Sequence, residues 1–396
     1  MAKALFLGLP LHGHINPSLP LVRELVRRGD QVVYYAADPF AAAIEQAGGQ
    51  CRSYGGTSLE DLDLLPTQTD RLAWLLMRMS ARVLEEDLER FREERPDYLI
   101  ADSVAPWGQW AAKLLGVPLV TSVSTLAFNR SVMAFGVARG VRPGSLRLFF
   151  SKLRHIGKAW RLQRRLCRRY CVNGPGVMGS VMGRSGLNIV YTSRHFQPCA
   201  DTFDDRFQFV GPMTSRTETI PFAWDRVGAS DVVYVSLGTL FNTDAAFYRT
   251  CFEAFAGQRF QVILSVGVNV SLTSLGAAPS NFVVLAHVPQ LAVLQRARAF
   301  VTHGGMNSVS EGLFYGVPLV VVPQMGEQAI VGRQVAELGA GLCLAKNEVT
   351  ATGLRESVRR LLDEERFRRQ ADVVRQSFMD AGGSARAVDA ILAFTR

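Results

Sequence analysis

Two groups of residues in this sequence have the types and spacing for chemistry. The first is Pro10-Leu11-His12-Gly13-His14-Ile15-Asn16-Pro17, directly after the apolar run Ala4–Leu9. An imidazole with a pKa of about 6.5 can take up a proton at neutral pH, so one of His12 and His14 is a candidate general base. The other suits a hydrogen-bonding role where a helix begins. Asp102 closes the run Tyr98-Leu-Ile-Ala-Asp102. A carboxylate there can orient an imidazole and stabilise its charged form, or it can cap the helix that follows. Sequence spacing leaves both roles open. The second group is His303-Gly304-Gly305-Met306-Asn307. Two glycines let the backbone approach a ligand, a helix start offers unpaired N–H groups and partial positive charge, and His303 adds a donor. That combination suits a phosphate, although Asn307 alone is better explained as an N-cap. Gly238 and Thr239 form a second small polar turn of the same kind.

The elements that must position these groups follow from apolar periodicity. Ala4–Leu9 reads as a strand, Asn16 as a cap with Pro17 at the first helical position, and Leu21, Leu25 and Val26 as one helix face ending at Gly29. Gln31–Ala36 is the next strand, which completes a βαβ unit. The first turn lacks GxGxxG, and His12 and His14 fill the space a pyrophosphate needs. Asp38 beyond the second strand therefore does not make this a dinucleotide site. A strand ending at Asp102, a helix Trp107–Leu115 and a strand Val117–Val123 put Asp102 on the same sheet edge as His14.

A second α/β series begins at Val232–Ser236, followed by a helix over Ala245–Phe255 and strands at Gln261–Ser265 and Phe282–Leu285. Ala299–Thr302 and Val317–Val322 read as buried parallel strands. Between them lies a helix opened by Asn307 and Ser308, with Glu311 in its first turn. Loops after parallel strands gather on one sheet edge, where ligands of open α/β sheets bind. Helices at Gly353–Leu362, Glu365–Met379 and Ala385–Phe394 complete the chain. The Thr-, Ser-, Pro- and Gly-rich stretch 210–230 reads as a linker. The expected organisation is thus an N-terminal domain 1–209, a linker 210–230, a C-terminal domain 231–380, and a last helix within 381–396 returning to the N-terminal domain.

At 396 residues, 48% hydrophobic and 20% charged, the chain has the composition of a soluble multidomain protein. No apolar run approaches the ~20 residues that span a bilayer. The N-terminus enters a His-rich loop at once and reads as a strand rather than a signal peptide. Six scattered cysteines suggest reduced thiols, and Cys167 with Cys171 has no second pair to complete a metal site. The expectation is a cytoplasmic protein. Asp61-Leu-Asp63 lies away from any phosphate loop and reads as solvated.

Charge is unevenly spread. Ser103 to Ala200 contains no Asp or Glu but 15 Lys and Arg, so with a net charge of +9 the rest of the chain sums to −6. Within that window, Ser145–Tyr170 has helical spacing of Leu, Ile, Phe, Trp and Tyr, with arginines and lysines between them. It reads as a helix packed on its domain with a cationic outer face, or as an interfacial helix for an anionic membrane. Nucleic acid is not expected, because no recognition motif accompanies the charge.

HGHINPSL with ELVRRG, VYVSLGT, and the stretch from HVPQ through VTHGGMNSVSEGLFYGVPLVVVPQMGEQ together resemble the UDP-glycosyltransferase superfamily, within it the bacterial macrolide and flavonoid branch. The resemblance covers nearly the whole chain. It implies a GT-B fold, two Rossmann-like doubly wound domains facing across a cleft. It also implies inverting transfer of a sugar, glucose first, from a UDP-sugar to a hydroxyl of a hydrophobic small molecule, without a metal or cofactor. It implies His14 as base, Asp102 holding it, and His12 lining the acceptor site. On the donor side it implies Gly13, Gly238, Thr239, His303, Gly305, Asn307 and Ser308 near the diphosphate, Glu311 at the ribose, Val288 and Gln290 at the base, and Glu327 and Gln328 at the sugar. Many relatives have Asp where this chain has Glu327, and some have a Trp near Val288, which leaves the donor sugar open. Alternatives are a nucleotide-sugar isomerase or hydrolase of the same fold, a transferase acting on a membrane lipid, and a catalytically silent binding module.

Overall fold

The computed structural model describes residues 1–55, 71–137, 146–174, 176, 185–213, 222, 224–227, 230–238, 242 and 244–396, with the side chains of 137, 146–153 and 346 excepted. Thr239, the Asp61–Asp63 pair and most of the 210–230 linker lie outside the described residues. The chain forms two compact units. One comprises Met1–Ser193, Cys199–Ser215 and Ala381–Arg396; the other comprises Arg194–Pro198 and Arg216–Asp380.

The first unit is built on a seven-stranded sheet. Its strands are β1 (Lys3–Leu7), β2 (Gln31–Ala36), β3 (Gln50–Ser53), β4 (Tyr98–Asp102), β5 (Leu119–Val123), β6 (Leu187–Val190) and β7 (Phe207–Phe209), in the order β3-β2-β1-β4-β5-β6-β7. Every pairing is parallel. The central strands are apolar along their length because both faces are covered, as parallel sheets require. One face packs on the long helix Leu72–Glu93, a segment given no element in the sequence reading, and on Trp107 and Trp110, both fully buried. The other face packs on the Leu19–Arg27 helix and the C-terminal helix Gly383–Thr395 through Leu21, Leu25, Val388 and Ile391. Arg396 reaches the buried carboxylate of Asp30 at 3.0 Å, and Arg28 pairs with Asp389 at 3.0 Å.

The second unit repeats the plan with six parallel strands: β8 (Val232–Ser236), β9 (Gln261–Ser265), β10 (Phe282–Leu285), β11 (Ala297–Thr302), β12 (Leu319–Val321) and β13 (Gly341–Cys343). Their order is β10-β9-β8-β11-β12-β13. In both units the strand order reverses beside the first strand, between β1 and β4 and between β8 and β11. The carboxyl ends of strands at such a switch point are where open α/β sheets hold ligands.

Several local expectations are corrected. Asn16 caps no helix: His12–Ile15 is already a helical turn, Asn16–Ser18 is a 3₁₀ turn, and the long helix starts at Leu19 without a side-chain cap. Prolines 17 and 20 permit this, since each sits where a first-turn N–H has no helical partner. The helix of the second group spans Met306–Phe314 and is capped by the extended Gly305. Asn307 and Ser308 therefore lie inside its first turn and Glu311 in its second. The strand expected over Val317–Val322 is confined to Leu319–Val321, because Gly316 leaves the preceding helix at φ +65° and Pro318 has no N–H for a ladder.

Candidate active site

In the first unit the turn after β1 and the end of β4 bring two expected residues together. His14 Nδ1 lies 2.9 Å from Asp102 Oδ2. The other Asp102 oxygen accepts the Val104 N–H at 2.7 Å. Asp102 therefore caps nothing, and the Pro106–Leu115 helix starts from Ala105 instead. Asp102 is 4% exposed, and the His14 side chain 15%. A proton on Nδ1 donated to Asp102 leaves the Nε2 lone pair as the basic site. Ser124, just past β5, places its Oγ 3.0 Å from the same Nδ1. Sequence reasoning missed this residue. A polar side chain at the carboxyl end of the strand beside β4 was the available signal.

The base of this turn is rigid. Tyr54 hydroxyl donates to the Gly8 carbonyl at 3.1 Å and accepts from Trp107 Nε1 at 3.1 Å. Gly8 lies so close to Tyr34 that a methyl there would be 2.5 Å from its ring. His12 is placed differently: it is exposed, with its ring edge-on to Phe40 at 4.8 Å. Of the two histidines, the geometry gives the carboxylate to His14. Gly13 is exposed between them.

In the second unit, Gly238 after β8 and the His303–Gly305 turn after β11 meet. A methyl on Gly238 would stand 2.5 Å from His303 Cε1, and one on Gly305 would stand 2.4 Å from Nε2. Two glycines thus flank the ring, and Gly238 also needs φ +76°. Gly304, at φ +86°, packs on Val321. Burial, with no carboxylate partner among the described residues, pushes the His303 pKa down to about 4, so the ring is neutral at pH 7. Ser308 is buried in the first turn of the Met306–Phe314 helix, beside Asn307. Asn242, not foreseen from sequence, is buried and donates to the Gly238 carbonyl at 3.1 Å, which fixes that turn.

Further along the same edge, Tyr234 hydroxyl donates to Gln290 Oε1 at 3.0 Å and Gln290 Nε2 donates to Glu311 Oε2 at 2.5 Å. The two expected base and ribose residues are therefore one hydrogen-bonded chain. Val288 is buried just ahead of Pro289, the cap of the short Gln290–Leu294 helix. Gln328 is 5% exposed, and its Oε1 accepts the N–H groups of Gln324 and Met325 at 2.8 and 3.2 Å. That oxygen closes the turn into the Gly326–Glu337 helix, so any sugar contact by Gln328 falls to its amide nitrogen. Glu327 is half-buried in the first turn of that helix. Among the described residues no cluster of three or more His, Cys, Asp or Glu gathers that could hold a metal ion.

Relatives and solved structures match nearly the whole chain. Residues 258–391 match the erythromycin biosynthesis protein CIII-like C-terminal domain. The chain is 33% identical to the uncharacterized UDP-glucosyltransferase YojK of Bacillus subtilis (strain 168), over 99% of this chain and 97% of that protein. It is 31% identical to demethyllactenocin mycarosyltransferase of Streptomyces fradiae, over 99% of this chain and 86% of that protein. Its fold matches the crystal structure of the glycotransferase of kitacinnamycin with a TM-score of 0.84 at 29% identity, over 99% and 98% of the two chains.

Proposed function

The chain belongs to the glycosyltransferases of macrolide and natural-product type, GT-B in fold, and from that premise we propose that it moves glucose from UDP-glucose to a hydroxyl of a hydrophobic acceptor with inversion. His14 Nε2 takes the proton of the acceptor hydroxyl. The acceptor oxygen bonds to the anomeric carbon as that carbon's bond to the diphosphate oxygen breaks. UDP leaves with the electron pair, and His14 carries the proton until solvent removes it. Asp102 holds the Nδ1 proton and stabilises the imidazolium. On the donor side the first-turn N–H groups of the Met306–Phe314 helix and the neutral His303 meet the charge that grows on the diphosphate, which is electrostatic stabilisation without a metal. Glu311, with Gln290 beside it, takes the ribose and the uracil edge. Glu327 takes sugar hydroxyls, and His12 borders the acceptor.

The observation that carries this reading is the 2.9 Å His14–Asp102 pair at the switch point of one sheet, in a chain whose other sheet ends in a glycine-flanked histidine beside a helix N-terminus. Glucose is favoured over other sugars by the name of one relative, the UDP-glucosyltransferase, while the mycarosyltransferase keeps deoxysugars in the panel to be tested. The test is incubation with UDP-glucose and other nucleotide sugars against phenols and macrolides, read by mass. A product heavier by one hexose, with UDP released in equal amount, supports the reading. No glycoside with any donor, or donor hydrolysis without transfer, overturns it.

A further inference from the structure

The Leu146–Tyr170 helix presents a surface that has no part in the transfer proposed above. Its inner face is ordinary. His155, Ala159 and Leu166 are buried, and the helix lies along Leu72–Glu93, with Trp74 6.0 Å from His155 and Arg169 paired to Glu85 at 2.8 Å. The outer face is not ordinary. Ile156 and Trp160, one turn apart, are each 48% exposed. Neighbours on one helix face, they form an apolar patch rather than singly scattered residues, and it is patches that mark interaction surfaces. The neighbours of those two side chains indicate what kind. Arg154, Arg161, Arg164, Arg165 and Arg168 are exposed along the same helix, which carries no Asp or Glu, and none of the five is paired with a carboxylate among the described residues. The Arg164 guanidinium lies 3.6 Å from the centre of the Trp160 ring, so charge and aromatic surface are joined in one feature.

An exposed Trp and Ile within a field of unpaired arginines matches an anionic bilayer surface. The indole seats at headgroup depth, the isoleucine enters the acyl boundary, and the guanidiniums meet lipid phosphates. A nucleic acid would use the arginines but gives no reason for an exposed aliphatic side chain beside them. No helix of the described residues is long and apolar enough to cross a membrane, so the contact would be peripheral. We infer that the outer face of Leu146–Tyr170, through Trp160, Ile156 and the flanking arginines, docks this protein on membranes rich in anionic phospholipid. The inference does not depend on the identity of the sugar or the acceptor.

The experiment is flotation of the whole protein with vesicles of phosphatidylcholine alone or mixed with phosphatidylglycerol, at low and high salt. Binding is expected only with the anionic lipid and is expected to weaken as salt screens the charges. Each basic residue near such a surface strengthens partitioning roughly five-fold, so Arg154→Gln/Arg161→Gln/Arg165→Gln should weaken it by about a hundred-fold, while the three Arg→Lys changes retain it. Trp160→Ala, with every arginine in place, should also lower binding several-fold. Far-ultraviolet circular dichroism and the thermal midpoint establish that each variant is folded. Indifference to phosphatidylglycerol overturns the inference. So does full binding by folded Trp160→Ala, and so does a DNA duplex that binds more tightly than the vesicles and displaces them.

Discussion

Two histidines follow switch-point strands, one in each sheet, and their surroundings differ. In the first unit the switch-point strands contribute His14 and Asp102, 2.9 Å apart. In the second unit the corresponding strands, β8 and β11, contribute Gly238 and His303. A carboxylate beside an imidazole stabilises the charged form that a base must pass through. A glycine beside an imidazole provides no charge and lets the ring be desolvated, which keeps it neutral and holds its pKa near 4. The same side chain thus sits against a carboxylate in one sheet and is desolvated and neutral in the other, according to the residue on the adjacent strand.

The largest test of this contrast removes the two imidazoles separately. His14→Ala should lower turnover roughly 10²- to 10⁴-fold and leave UDP affinity intact, measured by UDP release and by calorimetry. Asp102→Asn should fall in the same range. An equal loss of UDP affinity would place His14 on the donor side, and a greater loss from His12→Ala would show that the other imidazole is the base. Next in size is Gly305→Ala. Its methyl lies 2.4 Å from His303 Nε2, so UDP affinity should drop roughly ten- to a hundred-fold while the first unit is untouched. Unchanged affinity would mean that the ring position is unimportant for donor binding.

A stability measurement sharpens the contrast further. The unfolded His303 titrates at about 6.5 and the folded one at about 4, so between those values the unfolded chain binds more protons. Stability from this residue is present above pH 6.5 and is lost as the pH falls towards 4, by up to about 3 kcal/mol. Urea unfolding from pH 7 to pH 4.5 should show that slope, and His303→Gln should flatten it. The smallest effect is expected for Ser124→Ala, where loss of the Oγ that stands 3.0 Å from Nδ1 and can share its proton should cost turnover roughly two- to ten-fold with UDP affinity unchanged. No change in turnover would show that Ser124 does not help to hold the ring.

Much of the architecture was legible in the residues. Strands such as β2 and β8 carry the apolar runs Val32–Ala36 and Val232–Val235 because both sheet faces are covered, and that pattern survives in a single sequence. Helix starts were less legible. Asn16 and Asn307 have the side chains of caps, yet the helices begin elsewhere, at Leu19 and Met306, because Pro17, Pro20 and the extended Gly305 set the backbone. Capping propensity is worth about 1 kcal/mol, which tertiary packing readily overrides.

The sequence alone determined the two parallel sheets, the sheet edge on which the candidate residues gather, and the identity of most of them. These depend on local periodicity and on loops that follow strands. Only the tertiary structure decided which of two histidines two residues apart faces Asp102, that Ser124 joins them, that Gln290 and Glu311 form one chain with Tyr234, and that Gln328 spends its oxygen on its own turn. Each of these is a contact between strands or turns far apart in the chain. Whether such a contact forms depends on side-chain direction and on distances of a few tenths of an ångström, which residue spacing does not encode.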